Sequence, residues 1–114
     1  MSRNLDDLQL SFKWKVFEFL ARLVEAKVIV TIICTKRTEA EHQANLAAGT
    51  SWTRHSKHID GWAIDVAPTH LLKEPNWAPD DPLWLRMGVM GERCGLSWGG
   101  RWKKKDFCHF EEPA

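Results

Sequence analysis

Two short segments, far apart in the chain, carry residues able to bind a transition metal. The first is Ser56-Lys57-His58-Ile59-Asp60-Gly61-Trp62-Ala63-Ile64-Asp65, and the second is Asp106-Phe107-Cys108-His109. A catalytic zinc site takes three protein ligands from His, Asp or Glu and leaves a fourth position for water. His58, Asp65 and His109 supply such a set, for one zinc per chain. Asp106, three residues before His109, is left over as an acid or base beside the water. The pattern predicts a hydrolytic metal centre whose two halves the rest of the chain must bring together.

The separation of His58 and Asp65 excludes a pair on one helical turn, the arrangement of His-Glu-x-x-His. A loop histidine folded back by Gly61 toward a strand aspartate is the geometry to expect. The run Trp62 to Ala67 alternates as a strand does, with Ala63, Asp65 and Ala67 on one face and Trp62, Ile64 and Val66 on the other. Asp65 then points away from the bulky side, and the small Ala63 beside it leaves room for a substrate. Two other arrangements of the same residue types are open. One is a structural zinc site of Cys94, Cys108 and His109, and the other is a thiol protease using Cys34 with a His and an Asp. Neither uses both halves.

The elements around these segments are legible in order. Leu8, Phe12, Val16, Phe19, Leu20 and Leu23 form an apolar stripe within a helix expected from about residue 5 to 26, capped by Asp6 or Asp7. Trp14 and Phe17 widen the stripe and predict packing on more than one side. Val28 to Ile33 is a β-branched run that fits a buried strand. Thr38 with Glu41 makes a capping box for a helix ending at Gly49. Arg37 thereby falls at a strand-to-helix corner, where it can point into a cleft. Residues 68–81 read as a loop broken by prolines, with Trp77 covering the core. A helix follows from Pro82 to Cys94, with Leu83, Leu85, Met87, Val89 and Met90 as its apolar side. Short strands at Leu96–Trp98 and Phe107–Phe110 complete the chain, the last one delivering His109. Trp52 anchors the polar segment between, and His42, His55 and His70 read as ordinary surface or hydrogen-bonded histidines.

Composition sets the outer limits. A chain of 114 residues that is 44% hydrophobic suits a single domain over residues 1–114. Its net charge of +1 offers no electrostatic case for nucleic acid. The basic run Arg101 to Lys105 is either a solvated turn or a local attraction to an anionic surface such as a bacterial envelope. The acidic N-terminal segment has no apolar stretch of signal-peptide type, and no run approaches the ~18 apolar residues of a membrane span. Three irregularly spaced cysteines read as reduced thiols. The expectation is a monomer made in the cytoplasm, without stable membrane insertion.

The residues Ser56, His58, Gly61, Ala63 and Asp65 fill the pattern Ser-x-His-x-x-Gly-x-Ala-x-Asp, which resembles the M15 peptidases. Trp98-Gly99-Gly100-Arg101-Trp102, followed by Asp106 to Glu111, resembles the endopeptidase branch of that family. Lys36-Arg37-Thr38 with Glu41 and Gln43 resembles a third family segment. The resemblance implies an α+β fold of the hedgehog and DD-peptidase type, a small antiparallel sheet flanked by helices. It implies His58, Asp65 and His109 as Zn2+ ligands, Asp106 as general base, and Arg37 as a catalytic and substrate-binding residue. Ser56 is expected to support the substrate site as a hydrogen-bond partner, not as a nucleophile. The implied activity is hydrolysis of peptidoglycan stem peptides, between L-Ala and D-Glu, by a phage or prophage endolysin. Such an enzyme is made in the host cytoplasm and reaches the wall, in the periplasm, after the membrane is opened. A D-alanyl-D-alanine carboxypeptidase is the alternative within the enzymes, and a zinc-containing wall-binding module without turnover is the alternative outside them.

Overall fold

The computed structural model describes residues 1–49 and 56–114, so Trp52 and His55 lie outside the described residues. Among the described residues, three α-helices and four strands follow in the order α1 (Leu10–Glu25), β1 (Val30–Cys34), α2 (Glu39–Ala47), β2 (Ala63–Pro68), α3 (Pro82–Arg93), β3 (Ser97–Trp98) and β4 (His109–Glu111), with short 3-10 turns between them. The strands make one antiparallel sheet in the order β1-β2-β4-β3. This is the α+β architecture expected, with β2 central and buried along its whole length.

Register decides what each face of the sheet does. Ile32 pairs with Val66, Ile64 with Phe110, and Phe110 with Trp98, so these side chains share one face. Helices α1 and α3 cover that face. Phe12, Val16, Phe19 and Leu23 of α1 are fully buried, at the three- and four-residue spacings of one helical side. Phe19 meets Phe110 with ring centroids 4.6 Å apart. On α3, Gly88 and Gly91 are glycines because aromatic rings fill the space of their side chains. A Cβ on Gly88 would lie 2.3 Å from the Trp98 ring, and one on Gly91 would lie 2.6 Å from Phe110. The opposite face of the sheet carries Cys34, Asp65, His109 and Glu111.

Several local expectations change. Helix α1 starts at Leu10, not near residue 5, because Leu8 is extended and the Gln9 amide donates to the Gly61 carbonyl. Asn4, not Asp6 or Asp7, supplies the first cap, to a separate 3-10 turn over Leu5–Asp7. Trp14 is 64% exposed and stacks edge-on with Phe17, so only one side of α1 is buried. Strand β1 is an edge strand that is mostly half-buried, with Ile29 exposed before it. Trp77 is exposed rather than core, and its carbonyl accepts from the Trp84 indole at 3.0 Å. On α3 the buried side is Trp84 and Met87 with the two glycines, while Leu85 is exposed. The capping box of Thr38 and Glu41 and the helix end at Gly49, with its positive φ, are as expected, while Asp81 caps α3 and Gly95 beyond its end also takes a positive φ.

Gly88→Ala tests the α3–sheet contact. Alanine gains up to ~1 kcal/mol in helix propensity, whereas forcing a methyl against the Trp98 ring costs about 1–3 kcal/mol. A lower urea midpoint is expected, and a raised one would show that the ring has room to yield.

Candidate metal centre

Asp65 is the hub of the site. It lies on β2 directly opposite His109 of β4, and its Oδ1 is 3.1 Å from His109 Nδ1. The same oxygen is 3.1 Å from His58 Nε2, which arrives from the loop before β2. That loop is a tight turn. The Ile59 amide donates to the Ser56 carbonyl, the Trp62 amide donates to the Lys57 carbonyl, and Gly61 takes φ +79°. A Cβ on Gly61 would lie 2.6 Å from the Asp7 carbonyl oxygen, so the close approach of the N-terminal segment also requires glycine. Ser56 is buried and its hydroxyl accepts from the His58 amide at 3.2 Å, which supports the turn from within. His58 and His109 are buried, with ring centroids 5.1 Å apart.

The outer partners of the two imidazoles set their tautomers. His58 Nδ1 is 3.0 Å from the Thr35 carbonyl, which can only accept, so Nδ1 carries a proton, and in the metal-free chain Nε2 carries a second one that it donates to Asp65, the proton a cation would displace. His109 Nε2 donates to Glu111 Oε1 at 2.8 Å, which leaves Nδ1 on the Asp65 side. Lys57 in turn holds Glu111, with Nζ 3.0 Å from Oε2. Metal-binding histidines have this pattern, with the outer nitrogen donating to a carbonyl or carboxylate and the inner one free to coordinate. The donor types therefore suit a divalent cation, with His109 joined to His58 through Asp65 rather than packed directly against it. Glu111 was not assigned a role from sequence, although a His-x-Glu spacing on a strand puts both side chains on one face.

Two carboxylates here have opposite tendencies. Burial by itself would raise Asp65, but hydrogen bonds from His109 and His58 hold it well below the usual carboxylate range. Burial and the neighbouring Asp65 charge push Asp106 up instead. Asp106 is placed by its amide, which donates to the Gly99 carbonyl at 3.0 Å, and by its carbonyl, which accepts from the His109 amide. Gly99 must be glycine, since a Cβ would lie 2.4 Å from the Asp106 carbonyl oxygen. The Cys108 thiol, itself raised by burial, donates to Asp106 Oδ1 at 3.5 Å.

Arg37 reaches the site from the β1–α2 corner, with Nη2 3.7 Å from Asp65 Oδ2. Its Nε is buried and has no acceptor among the described residues. Arg37 also lines a cavity of about 620 Å3 with Ser2, Lys36, Thr38, Glu41 and Ile59. Thus all six residues singled out from sequence converge, Ser56 through the His58 loop. His70 is exposed, away from this role, and His42 is fully buried. One further residue, Cys34, is also brought in. Its thiol, one imidazole nitrogen of His58 and one carboxylate oxygen of Asp65 lie within 4.8 Å of one another. No cluster of Cys94, Cys108 and His109 occurs among the described residues.

The pH response of the metal-stripped chain follows from these contacts. Burial opposes the charge on His58, but its bonds to Asp65 and Cys34 prevail and raise it from 6.5 to about 10. This contribution to stability is complete below pH 6.5 and is lost as pH rises through 10. Asp65 is depressed, so its contribution is present above 3.8 and is lost on acidification below that value. Urea midpoints of the stripped chain should therefore decline between pH 6.5 and 10. A flat profile over that interval would contradict the His58–Asp65 coupling.

Known proteins resemble the chain in sequence and in fold. A family model of the M15 peptidases, described as D-alanyl-D-alanine carboxypeptidase, matches residues 49–112. No curated protein matches the chain. Among solved structures, the L-Ala D-Glu endopeptidase ChiX of Serratia marcescens is similar at 25% identity and a TM-score of 0.76. That match covers 96% of this chain and 84% of the other. With the family match spanning more than half of its length, including His58, Asp65, Asp106 and His109, the chain belongs to the M15 peptidase family.

Proposed function

We propose that the chain is a zinc-dependent peptidoglycan hydrolase that cleaves the stem peptide between L-Ala and D-Glu. The observation that carries the reading is the convergence of His58 and His109 on the buried Asp65. It occurs in a fold shared over 96% of the chain with an L-Ala D-Glu endopeptidase. His58 Nε2, Asp65 and His109 Nδ1 would hold the zinc. Zinc at such a site supplies a Lewis acid and lowers the pKa of water toward ~7.

The remaining steps belong to the protein's own side chains. Asp106, raised from its ordinary value by burial and by the Asp65 charge, is suited to take a proton from the attacking water. It then returns that proton to the leaving amine. Arg37 keeps its charge throughout and has an unpaired donor, so it can fix a stem carboxylate or steady negative charge on the carbonyl oxygen. A buried donor without a partner costs about 1–3 kcal/mol, which a bound acceptor would recover. Trp102 packs beside His109, with ring centroids 4.9 Å apart. A phage or prophage endolysin is the biological role in this proposal, acting on the wall once the membrane is opened. No helix among the described residues is long and apolar enough to cross a membrane.

The family description favours a second reading, removal of the terminal D-Ala. Mass spectrometry of fragments released from purified peptidoglycan separates the two. New ends at L-Ala and D-Glu, abolished by a zinc chelator, are expected. Release of terminal D-Ala alone would establish the carboxypeptidase, and no release despite bound zinc would leave a wall-binding module. Asp106→Asn is expected to keep its zinc and lose about 10²–10⁴-fold in turnover. His109→Ala should instead lower zinc content, and normal hydrolysis by either variant would refute its role.

A further inference from the structure

Helix α1 has two apolar sides. Phe12, Val16, Phe19 and Leu23 face the sheet, while Leu10, Trp14, Phe17, Ala21 and Val24 lie on the opposite side, all exposed. Leu10, Trp14 and Val24 are 66%, 64% and 75% exposed, more than a helix needs to leave in water. These outer residues are spaced four, three, four and three apart, the alternation of a coiled-coil seam. Trp14 and Phe17 already meet edge-on within it, with ring centroids 5.9 Å apart. Charged residues border the seam closely, Lys13 along one edge and Glu18 and Glu25 along the other. A stripe this narrow fits one facing helix. A helix lying on a bilayer instead has Lys and Arg beside its apolar face, and two acids here oppose an anionic surface. Among the described residues the other two helices expose one large hydrophobic side chain, Leu85, so the chain carries a single seam of this kind.

We propose that α1 is a dimerisation helix, packed in parallel against α1 of a second copy of this chain. A two-fold interface uses the same patch on both subunits, so a helix with one seam supplies its own partner. Charge sets the direction. In a parallel pair, a residue at one edge of the seam faces the residue five places further along at the opposite edge of the other helix. Lys13 then meets Glu18 of the partner subunit, and symmetry makes that contact twice. An antiparallel pair would bring acidic edge to acidic edge. The contacts that Lys13 and Glu18 make within the chain, to Asp6 at 3.6 Å and Arg22 at 3.5 Å, are long and give way to a closer partner. Asp65 and His109 lie on the sheet face turned away from α1, so the site stays open in both subunits. Such a dimer departs from the monomer expected from sequence. A seam of five residues is small, which sets a dissociation constant of about 10–100 µM.

The test is sedimentation equilibrium of the full chain from about 5 to 500 µM, a range that brackets that constant. The mass should rise from 13.2 kDa toward twice that value. Trp14→Glu is expected to stay monomeric throughout, with an unchanged circular dichroism spectrum because Trp14 packs against no core residue. Lys13→Glu should weaken association at least about tenfold, and adding Glu18→Lys should restore it, since the swap re-forms the pair in a parallel dimer. Leu85→Glu, on α3, should dimerise as the unsubstituted chain does. A chain that is monomeric at every concentration, or a dimer that survives Trp14→Glu, would overturn the proposal. A dimer that the charge swap does not restore would overturn the parallel arrangement. Co-sedimentation of a monomeric chain with vesicles of phosphatidylglycerol and phosphatidylcholine, lost in Trp14→Glu, would assign the seam to a lipid surface instead.

Discussion

A carboxylate taken out of water is costly unless charge and hydrogen bonds replace its hydration, and the structure answers that cost at Asp65 with two imidazoles and a guanidinium. Each partner comes from a different part of the chain. His58 stands on a loop, His109 on a neighbouring strand, and Arg37 at the exit of the edge strand. The requirement of one buried anion therefore ties together β1, β2, β4 and the loop before β2. The same requirement leaves a cluster of donors that a divalent cation can use, because a carboxylate and two inward-facing imidazole nitrogens serve a cation as readily as they serve one another.

The sheet divides its labour by parity. Even-numbered residues of β2 and β4, Ile64, Val66 and Phe110, lie against α1 and α3, while odd-numbered Asp65, His109 and Glu111 lie on the other face. Core and site are thus two sides of the same strands, and the packing of Phe19, Phe110, Gly88 and Gly91 fixes the height at which Asp65 and His109 stand. Trp98 extends this coupling. Its indole donates to the Phe107 carbonyl at 2.8 Å, and Phe107 stacks near Trp84, which pins the segment that carries Asp106. Asp106 and Asp65 are chemically alike but differ in partners. Asp65 is surrounded by cations, whereas Asp106 receives only a weak thiol donor and faces the charge of Asp65. This contrast separates a ligand from a proton carrier within one small site.

Much of this arrangement was readable in the chain. Alternation over Ala63 to Ala67 put Asp65 on the face away from Ile64 and Val66, and the capping box at Thr38 and Glu41 put Arg37 at a corner beside the site. Local rules of this kind depend on neighbours in sequence, so the sequence by itself determined them. It also determined which residue types were available for metal chemistry, since no other pair of segments combines His, Asp and His in this way. The start of α1 and the exposure of Trp14 and Trp77 were not determined locally. They depend on where Gly61 meets the N-terminal segment and on how many neighbours a helix or loop finds, which are properties of the assembled fold.

Tertiary structure alone decided the register, and with it the finer chemistry. Which residue faces Asp65 across β1 turns on one bulge, and a shift of one residue would place Ile33 there and turn the Cys34 thiol away. The partners that set the histidine tautomers, the Thr35 carbonyl and Glu111, likewise act through space. A backbone carbonyl has no signature in a sequence, and Glu111 acquires its meaning only once β4 is a strand beside β2. The chain thus carried the identity of the reactive groups in its residues and spacing, while their proximity, protonation and orientation came from strand pairing, because those properties depend on distances between segments that no local pattern encodes.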